Sequence, residues 1–362
     1  MEQILRYFWT ESKPWLFCLM LFLLSRLLIW PQAAFINTAF HLHLAPEAWF
    51  WQWDSAWYLR IIQHGYDVTP QPGAGGMANY VFFPLLPLTV GFLSHITQVP
   101  IMWMGILFSQ LCFLLSFYLL YQILAQRCAN ESTARFGVLL LAFSPCNIYF
   151  SSFYTESLFL LLSLAIWRCA YAQQWLWAGI LGALLSATRP TGVMILLPLA
   201  LIAWKFYRQQ QLKTSVILIG LVPAGALAFM IYLHFHVGHA LAFVSNDETA
   251  WRRPGLHLLH PQLYGASFKA VFALIISLYL IYQLVVKRYW PEALYFLVMI
   301  YPPIMSGSLT SFLRYSFCLF SFYFALAVIS QGKHYLRLLL FSASVAYVGL
   351  FIALWVNGLP MQ

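Results

Sequence analysis

Apolar runs separated by short polar stretches recur along the chain from residue 14 to residue 357. A helix that crosses the hydrocarbon core of a bilayer needs about 20 predominantly apolar residues, and somewhat fewer where it is buried or broken. By this criterion the pattern predicts an all-α polytopic membrane protein with about eleven transmembrane helices. The predicted spans lie near residues 14–36, 101–125, 133–150, 153–171, 174–188, 190–204, 214–236, 266–286, 290–306, 312–330 and 337–357.

The apolar segment at residues 80–96 is shorter, and it contains Pro84 and Pro87. Irregular backbone is tolerated at membrane depth only where it is buried in protein. We therefore predict that this segment is re-entrant or interfacial rather than a full span. It then belongs to a first outward loop at residues 37–100, and a second outward loop covers residues 237–265.

The composition excludes most other classes of protein. Of the 362 residues, 62% are hydrophobic and only 8% are charged, whereas a soluble globular protein carries about 25% charged residues. So few charges do not cover a water-facing surface, because Lys, Glu, Arg and Asp are the residues that face water. We expect one integral membrane domain over residues 1–362 and no separate soluble domain.

The basic residues predict how the helices are oriented. Positive charge collects in cytoplasmic loops, so the side of alternate loops that carries most of the nineteen Lys and Arg residues is predicted to be cytoplasmic. The two long loops then face outward. The net charge of +9 reflects this asymmetry, and no nucleic-acid partner is predicted. The residues on the cytoplasmic side are Arg6, Lys13, Arg127, Arg135, Arg168, Lys205, Arg208, Lys213, Lys287, Arg288, Lys333 and Arg337.

The outward side carries a cluster of both charge signs. Ionisable groups near membrane depth are costly, and they indicate function by default. The cluster therefore marks the place where chemistry is expected. Its carboxylates are Glu47, Asp54, Asp67, Glu156, Asp247 and Glu248, and its main arginines are Arg189, Arg252, Arg253 and Arg314.

The stretch from Trp51 to Tyr66 predicts a short amphipathic helix in the membrane interface. Trp53, Trp57 and Ile61 recur at helical spacing, which gives one apolar and aromatic face. Asp54 stands where an N-cap belongs, at the boundary between membrane and water. There an ionised carboxylate is able to take a proton from a hydroxyl group. The alternative interpretation, that Asp54 only caps the helix, stays open on the residues alone.

Six segments carry recognisable motifs: Trp53 to Tyr66, Phe82 to Pro87, Ser144-Pro145 with Phe150 to Phe159, Ala187 to Gly192, Gly238 to Phe243 with Trp251 to Arg253, and Leu313 to Tyr315. In this order they resemble segments of the GPI mannosyltransferase II (PIG-V-like) family, which belongs to the GT-C class of polytopic glycosyltransferases. Two positions depart from its pattern, because His239 stands where relatives often have Asp and Arg252 where they often have Gly.

The resemblance implies a GT-C fold and a membrane-embedded mannosyltransferase or related hexosyltransferase. Such an enzyme takes a sugar from a polyprenyl-phosphate-linked donor and passes it, with inversion, to a lipid or glycan acceptor on the non-cytoplasmic face. The resemblance also implies that Asp54 is the catalytic general base. The chain is shorter than eukaryotic members, which favours a bacterial type in the inner membrane; a eukaryotic member would lie in the ER membrane.

The resemblance suggests roles for further residues. Arginine is a permanently charged fork that matches phosphate, so the arginines are candidates for binding the donor phosphate. Glu156 is the first candidate for contact with the substrate. The phosphate-binding candidates are Arg189 and Arg314, followed by Arg252 and Arg253, and the substrate-binding candidates are Glu156, Trp53, His64, Tyr154 and Tyr315.

Structural roles remain open for several of these residues. Arg189, beside Pro190, is placed where its side chain can extend to the membrane interface. Glu156 is placed where an acidic residue stabilises the start of a helix. Arg252 and Arg253 then form a solvated pair in a loop. A transporter or flippase of lipid-linked sugars is the alternative function, with the arginines along a phosphate pathway.

The histidines and one buried arginine complete the predictions. His234 and His236 are two residues apart, so they do not share a helix face, and no metal or other cofactor is predicted. Arg26, inside the first span, is expected to pair with a polar neighbour within the bundle.

Overall fold

The computed structural model describes residues 13–250, 268–305, 309 and 311–359. Within these residues the chain is mostly helical and contains no β-strand. The helices are α1 (Pro14–Ala39), α2 (Asp54–His64), α3 (Leu85–Thr97), α4 (Ile101–Cys128), α5 (Glu131–Ala142), α6 (Asn147–Ser151), α7 (Glu156–Tyr171), α8 (Trp175–Ser186), α9 (Leu196–Arg208), α10 (Ala224–Val237), α11 (Ala242–Thr249), α12 (Phe268–Val286), α13 (Trp290–Met305), α14 (Phe312–Phe317), α15 (Phe320–Ile329) and α16 (His334–Val356).

Six apolar helices of the described residues are long enough to cross a membrane, and shorter apolar helices accompany them. The prediction of an all-α polytopic membrane protein is therefore confirmed. The remaining predicted spans coincide with shorter or interrupted helices. The six long ones are Pro14–Ala39, Ile101–Cys128, Pro190–Arg208, Thr214–Val237, Phe268–Val286 and His334–Val356, two of which begin with a 3-10 turn.

Two predicted spans are broken in the middle, and both breaks lie beside the site described below. The span predicted at 133–150 ends as α5 at Ala142 and resumes as the short α6. Pro145 lies in this gap, where it prevents a continuous helix. The span predicted at 312–330 is divided into α14 and α15 by Cys318 and Leu319.

Helix α7 lies at the centre of the bundle, packed against α4 and α8. Its side chains are buried all round, as expected of a helix surrounded by other helices rather than by lipid. Close packing reaches the segment before it, because a Cβ on Gly105 of α4 would collide with the ring of Phe153. The start of α7, which carries Glu156, is thus fixed in position.

Arg26 of α1 pairs with polar side chains inside the bundle, as predicted. Its guanidinium donates to Gln110 Oε1 at 2.8 Å, to Asn147 Oδ1 at 2.6 Å and to Ser151 Oγ at 2.5 Å, and both remaining contacts go to Ser25 Oγ. All five N–H groups of the guanidinium are used, since Arg carries five donors. These bonds tie α6 to α1 and α4, immediately before the segment that leads into α7.

The loop at residues 37–100, predicted to face outward, has its own hydrogen-bonded frame. Asp67 Oδ2 accepts from the Asn79 N–H at 3.0 Å, and Asn79 Oδ1 accepts from the Asp67 N–H at 2.8 Å. Asn246 of α11 bonds to the backbone of Ala78 and Gly76 at 3.0 and 2.9 Å, which joins the second outward loop to the first. The loop that follows α2 is therefore ordered around fixed polar contacts.

Candidate active site

Asp54 is the first residue of α2, which corrects its predicted place as the N-cap. The preceding residue is Trp53, whose φ of 43° is unusual for a bulky side chain, and no side chain caps the helix. Instead the Asp54 N–H donates to the Tyr154 hydroxyl at 3.1 Å, and that hydroxyl donates to the Gln52 carbonyl at 3.0 Å. The next two N–H groups, of Ser55 and Ala56, donate to the carbonyls of Gln52 and Trp53, so these groups do not need the Asp54 carboxylate as a cap.

Helix α2 packs against the protein on one side and leaves its tryptophans more accessible. Its buried residues are Ser55, Tyr58 and Ile61, whereas Trp53 is 42% exposed and Trp57 is only partly buried. The Ser55 hydroxyl donates to the carbonyl of Phe153 at 3.2 Å, so α2 is bonded to the segment before α7. The side of α2 that carries Ser55, Tyr58 and Ile61 therefore contacts other parts of the protein. The spacing of the tryptophans does not predict these contacts.

Arg314 connects two carboxylates that are distant in the sequence. Its Nη1 donates to Asp54 Oδ2 at 2.6 Å, and its Nε donates to Glu156 Oε1. Glu156 is fully buried, whereas 20% of the Asp54 side chain remains exposed. Asp54 is thus the more accessible of the two carboxylates, and its Oδ1 has no hydrogen bond to any described residue.

Arg189 binds the same oxygen of Glu156 from another helix end. Its Nη2 donates to Glu156 Oε1 and its Nε donates to the Thr155 hydroxyl at 2.7 Å. Asp54, Arg314, Glu156 and Arg189 therefore form a continuous chain of two carboxylates and two guanidinium groups, whose formal charges cancel. The structure brings together these four residues from the predicted cluster.

Each arginine keeps one terminal nitrogen without an acceptor among the described residues. These are Nη1 of Arg189 and Nη2 of Arg314. They remain able to donate to an anionic group. Beside Arg189 opens a small cleft with about 20 Å³ of free space. It is lined by Glu156, Phe159, Arg189, Thr191, Met299, Tyr315, Cys318 and Leu319.

Aromatic rings surround the charged chain. The Arg314 guanidinium carbon lies 4.6 Å from the ring centroid of Tyr154 and 5.3 Å from that of Tyr149. Trp355 packs edge-on against both tyrosines, at 5.4 and 5.2 Å between centroids. Tyr315 lies 6.0 Å from the guanidinium carbons of Arg189 and Arg314. Cations gain attraction from such ring faces, which helps to hold the arginines in place.

The other predicted site residues lie in different places. Trp53 adjoins Asp54 and packs on Trp355 at 5.0 Å between centroids. His64 is exposed at the far end of α2, about 15 Å along the helix from Asp54 at 1.5 Å per residue, so the structure does not bring it to the cluster. Arg252 and Arg253 lie outside the described residues.

Several residues of the site were not predicted from the sequence. Tyr149 and Trp355 carry no charge and stand in apolar runs, so nothing distinguishes them from packing residues. Thr155 and Thr191 adjoin residues of the predicted motifs, and that adjacency is the signal that would have found them.

No group of three His, Cys, Asp or Glu residues in the described part of the chain is arranged to hold a metal ion. His236 Nε2 lies 2.9 Å from the Tyr66 carbonyl oxygen, which connects α10 to the first outward loop. The expectation that the protein needs no metal or cofactor stays a prediction.

Comparison with known proteins adds a family. The model of the mannosyltransferase (PIG-V) family matches residues 21–197, which include Asp54, Glu156 and Arg189. Arg314 lies beyond the matched residues. No curated protein matches the chain. The family match confirms the resemblance of the motifs to the PIG-V-like mannosyltransferase family.

Proposed function

We propose that the protein is a GT-C-class glycosyltransferase that moves a hexose, in the first instance mannose, from a polyprenyl-phosphate-linked donor to a hydroxyl of a lipid or glycan acceptor. The observation that carries this proposal is the Asp54 carboxylate, partly exposed and held through Oδ2 by Arg314. Its Oδ1 receives no hydrogen bond from any described residue. A carboxylate held through one oxygen and open at the other has the form of a positioned general base.

The proposed reaction is a single inverting displacement. The acceptor oxygen bonds to the anomeric carbon as the bond from that carbon to the phosphate oxygen breaks. The acceptor proton passes to Asp54 Oδ1, and the polyprenyl phosphate leaves with the electron pair of the broken bond. This leaving group needs charge stabilisation more than a proton. The unused donors of Arg189 and Arg314 are suited to supply it, because fixed donors stabilise developing charge.

The test is transfer by the purified protein from radiolabelled mannosyl-phosphate polyprenol, with membrane lipid and glycan extracts as acceptors. We expect label to move into an acceptor and polyprenyl phosphate to be released in equal amount. Transport by the protein in reconstituted vesicles tests the alternative function. If the protein moves the intact donor across the bilayer and consumes none of it, it is a flippase and the enzyme proposal is wrong.

The site is proposed to face the non-cytoplasmic side, in the inner membrane of a bacterium. Single cysteines at Gly73 and Ser245 are then expected to react with an impermeant maleimide added outside whole cells, and Gln209→Cys only after permeabilisation. All three positions are exposed. The native cysteines are buried or partly buried, so background labelling should be low. If Gln209→Cys alone reacts in intact cells, the orientation is the opposite of the proposed one.

A further inference from the structure

The two oxygens of Glu156 differ in their hydrogen bonding. Oε1 accepts from both Arg189 and Arg314, whereas Oε2 is buried and has no hydrogen-bond partner among the residues that the structure describes. A buried acceptor without a donor is costly, and for a charged group the cost is larger. Native structures pair nearly all such atoms. A donor supplied by a bound molecule is the natural partner of this oxygen.

The cleft beside Glu156 has two kinds of wall. Phe159, Met299 and Leu319 form an apolar side, and the hydroxyl-bearing Thr191 and Tyr315 lie on the polar side. The free space of about 20 Å³ admits one group the size of a water molecule, and a hydroxyl group of a sugar has this size. The sugar ring itself would then lie at the mouth of the cleft.

The donor needed by Oε2 distinguishes a sugar from its phosphate. A phosphodiester carries no hydrogen-bond donor, so it leaves this oxygen unpaired and adds charge repulsion. A ring hydroxyl donates to a carboxylate in a charge-assisted bond. Arg189 Nη1 and Arg314 Nη2, which have no acceptor among the described residues, offer the opposite chemistry on the two side chains that bind Glu156. A hydroxyl acceptor and anion donors therefore lie next to each other.

On the basis of the proposed function, we infer that Glu156 Oε2 accepts a hydrogen bond from one hydroxyl of the hexose being transferred, and so determines which hexose the enzyme uses. The negative charge of Glu156 has a second role, because Oε1 accepts hydrogen bonds from two guanidinium groups. Glu156 thus contributes through both oxygens, one positioning the arginines and one contacting the sugar.

The experiment measures kcat/KM for mannosyl-phosphate polyprenol and for donors that each lack one ring hydroxyl, with wild type and Glu156→Gln. In wild type, one deoxy donor is expected to lose about ten- to hundredfold in kcat/KM, the range for a lost hydrogen bond to a charged group. Glu156→Gln is expected to lower kcat/KM for every donor. Within this variant, kcat/KM for the same deoxy donor should be close to that for the full donor. The readout is the coupling between the missing ring hydroxyl and the substitution of Glu156, rather than the loss of overall activity.

Glu292→Gln is the matched control, because Glu292 is also fully buried and paired with an arginine, Arg127, but lies outside the cluster. It should keep the wild-type ranking of the deoxy donors. Where Glu156→Gln does not fold, as judged by thermal unfolding, Glu156→Asp replaces it. That variant keeps the charge but withdraws Oε2, and it should weaken the discrimination in the same way.

The outcomes separate this inference from the proposed function. If wild type transfers mannose but treats all the deoxy donors alike, or if Glu156→Gln keeps the full wild-type discrimination, Glu156 does not contact the sugar and the inference is wrong. If wild type transfers from no lipid-linked donor, the proposed function itself is wrong, and the inference that rests on it falls as well.

Discussion

Asp54→Asn is expected to lower kcat for sugar transfer by about 10²–10⁴-fold, the usual contribution of a positioned general base. KM for the donor should change little, because the amide keeps an oxygen that accepts from Arg314 Nη1 and leaves the arginines in place. A group that acts only in the transition state lowers kcat and kcat/KM together when it is removed. The measurement is steady-state transfer from mannosyl-phosphate polyprenol at varied donor concentration.

Glu248→Gln provides the control for this prediction. Glu248 is an exposed carboxylate of α11, in the second loop that is predicted to face outward, and it makes no ion pair with any described residue. Removing its charge should leave kcat unchanged, which shows that outward carboxylates do not act by charge alone. A folded Asp54→Asn protein with wild-type kcat would mean that another group, or solvent, takes the proton.

The positions of the helices were largely predictable because length and hydropathy are properties of single segments. The helix predicted at 101–125 extends over Ile101–Cys128, and the one predicted at 266–286 over Phe268–Val286. The break between α14 and α15 was not predictable, since residues 312–330 contain neither Pro nor Gly. There the Tyr323 hydroxyl donates to the Phe317 carbonyl at 2.6 Å, a contact at the end of α14 that no local pattern indicates.

The composition of the site was partly predictable, but its pairing was not. When the charged residues are sorted by their predicted side of the membrane, Asp54, Glu156, Arg189 and Arg314 fall in one cluster on the outward side. The sorting is informative because only 8% of the residues are charged, so each charge near membrane depth indicates function. The ion pair between Asp54 and Arg314 joins residues 260 apart in the sequence. Helical periodicity relates only near neighbours, so it carries no information on such a pair.

The N-cap prediction for Asp54 failed for an instructive reason. Sequence rules assign a capping role from local position, and Asp near a helix start is a strong candidate. The Asp54 N–H donates to the hydroxyl of Tyr154, which is 100 residues away, and the next two N–H groups donate to the backbone carbonyls of Gln52 and Trp53. The strained φ of Trp53 accompanies this arrangement. Such departures from local rules are expected at functional sites, where tertiary contacts override local preference.

Arg314→Lys is expected to lower kcat by about 10²–10³-fold, the cost of removing one fixed donor from a site of developing charge. The guanidinium reaches Asp54 through Nη1 and Glu156 through Nε while Nη2 stays free. A lysine has one nitrogen, a compact charge without the planar fork, so it does not reproduce this geometry. The variant should therefore lose rate although it keeps the positive charge, as measured by transfer kinetics on folded protein.

Arg127→Lys tests whether this loss belongs to the site. Arg127 makes an equivalent pair with a fully buried carboxylate, since its Nε and Nη2 donate to the two oxygens of Glu292 at 2.8 and 3.2 Å. Both substitutions should lower the thermal unfolding temperature, because each disturbs a buried ion pair. Only Arg314→Lys should lower kcat per folded molecule. Equal losses of kcat in the two variants would show that Arg314 acts through stability, and the chain from Asp54 to Arg189 would then be structural rather than catalytic.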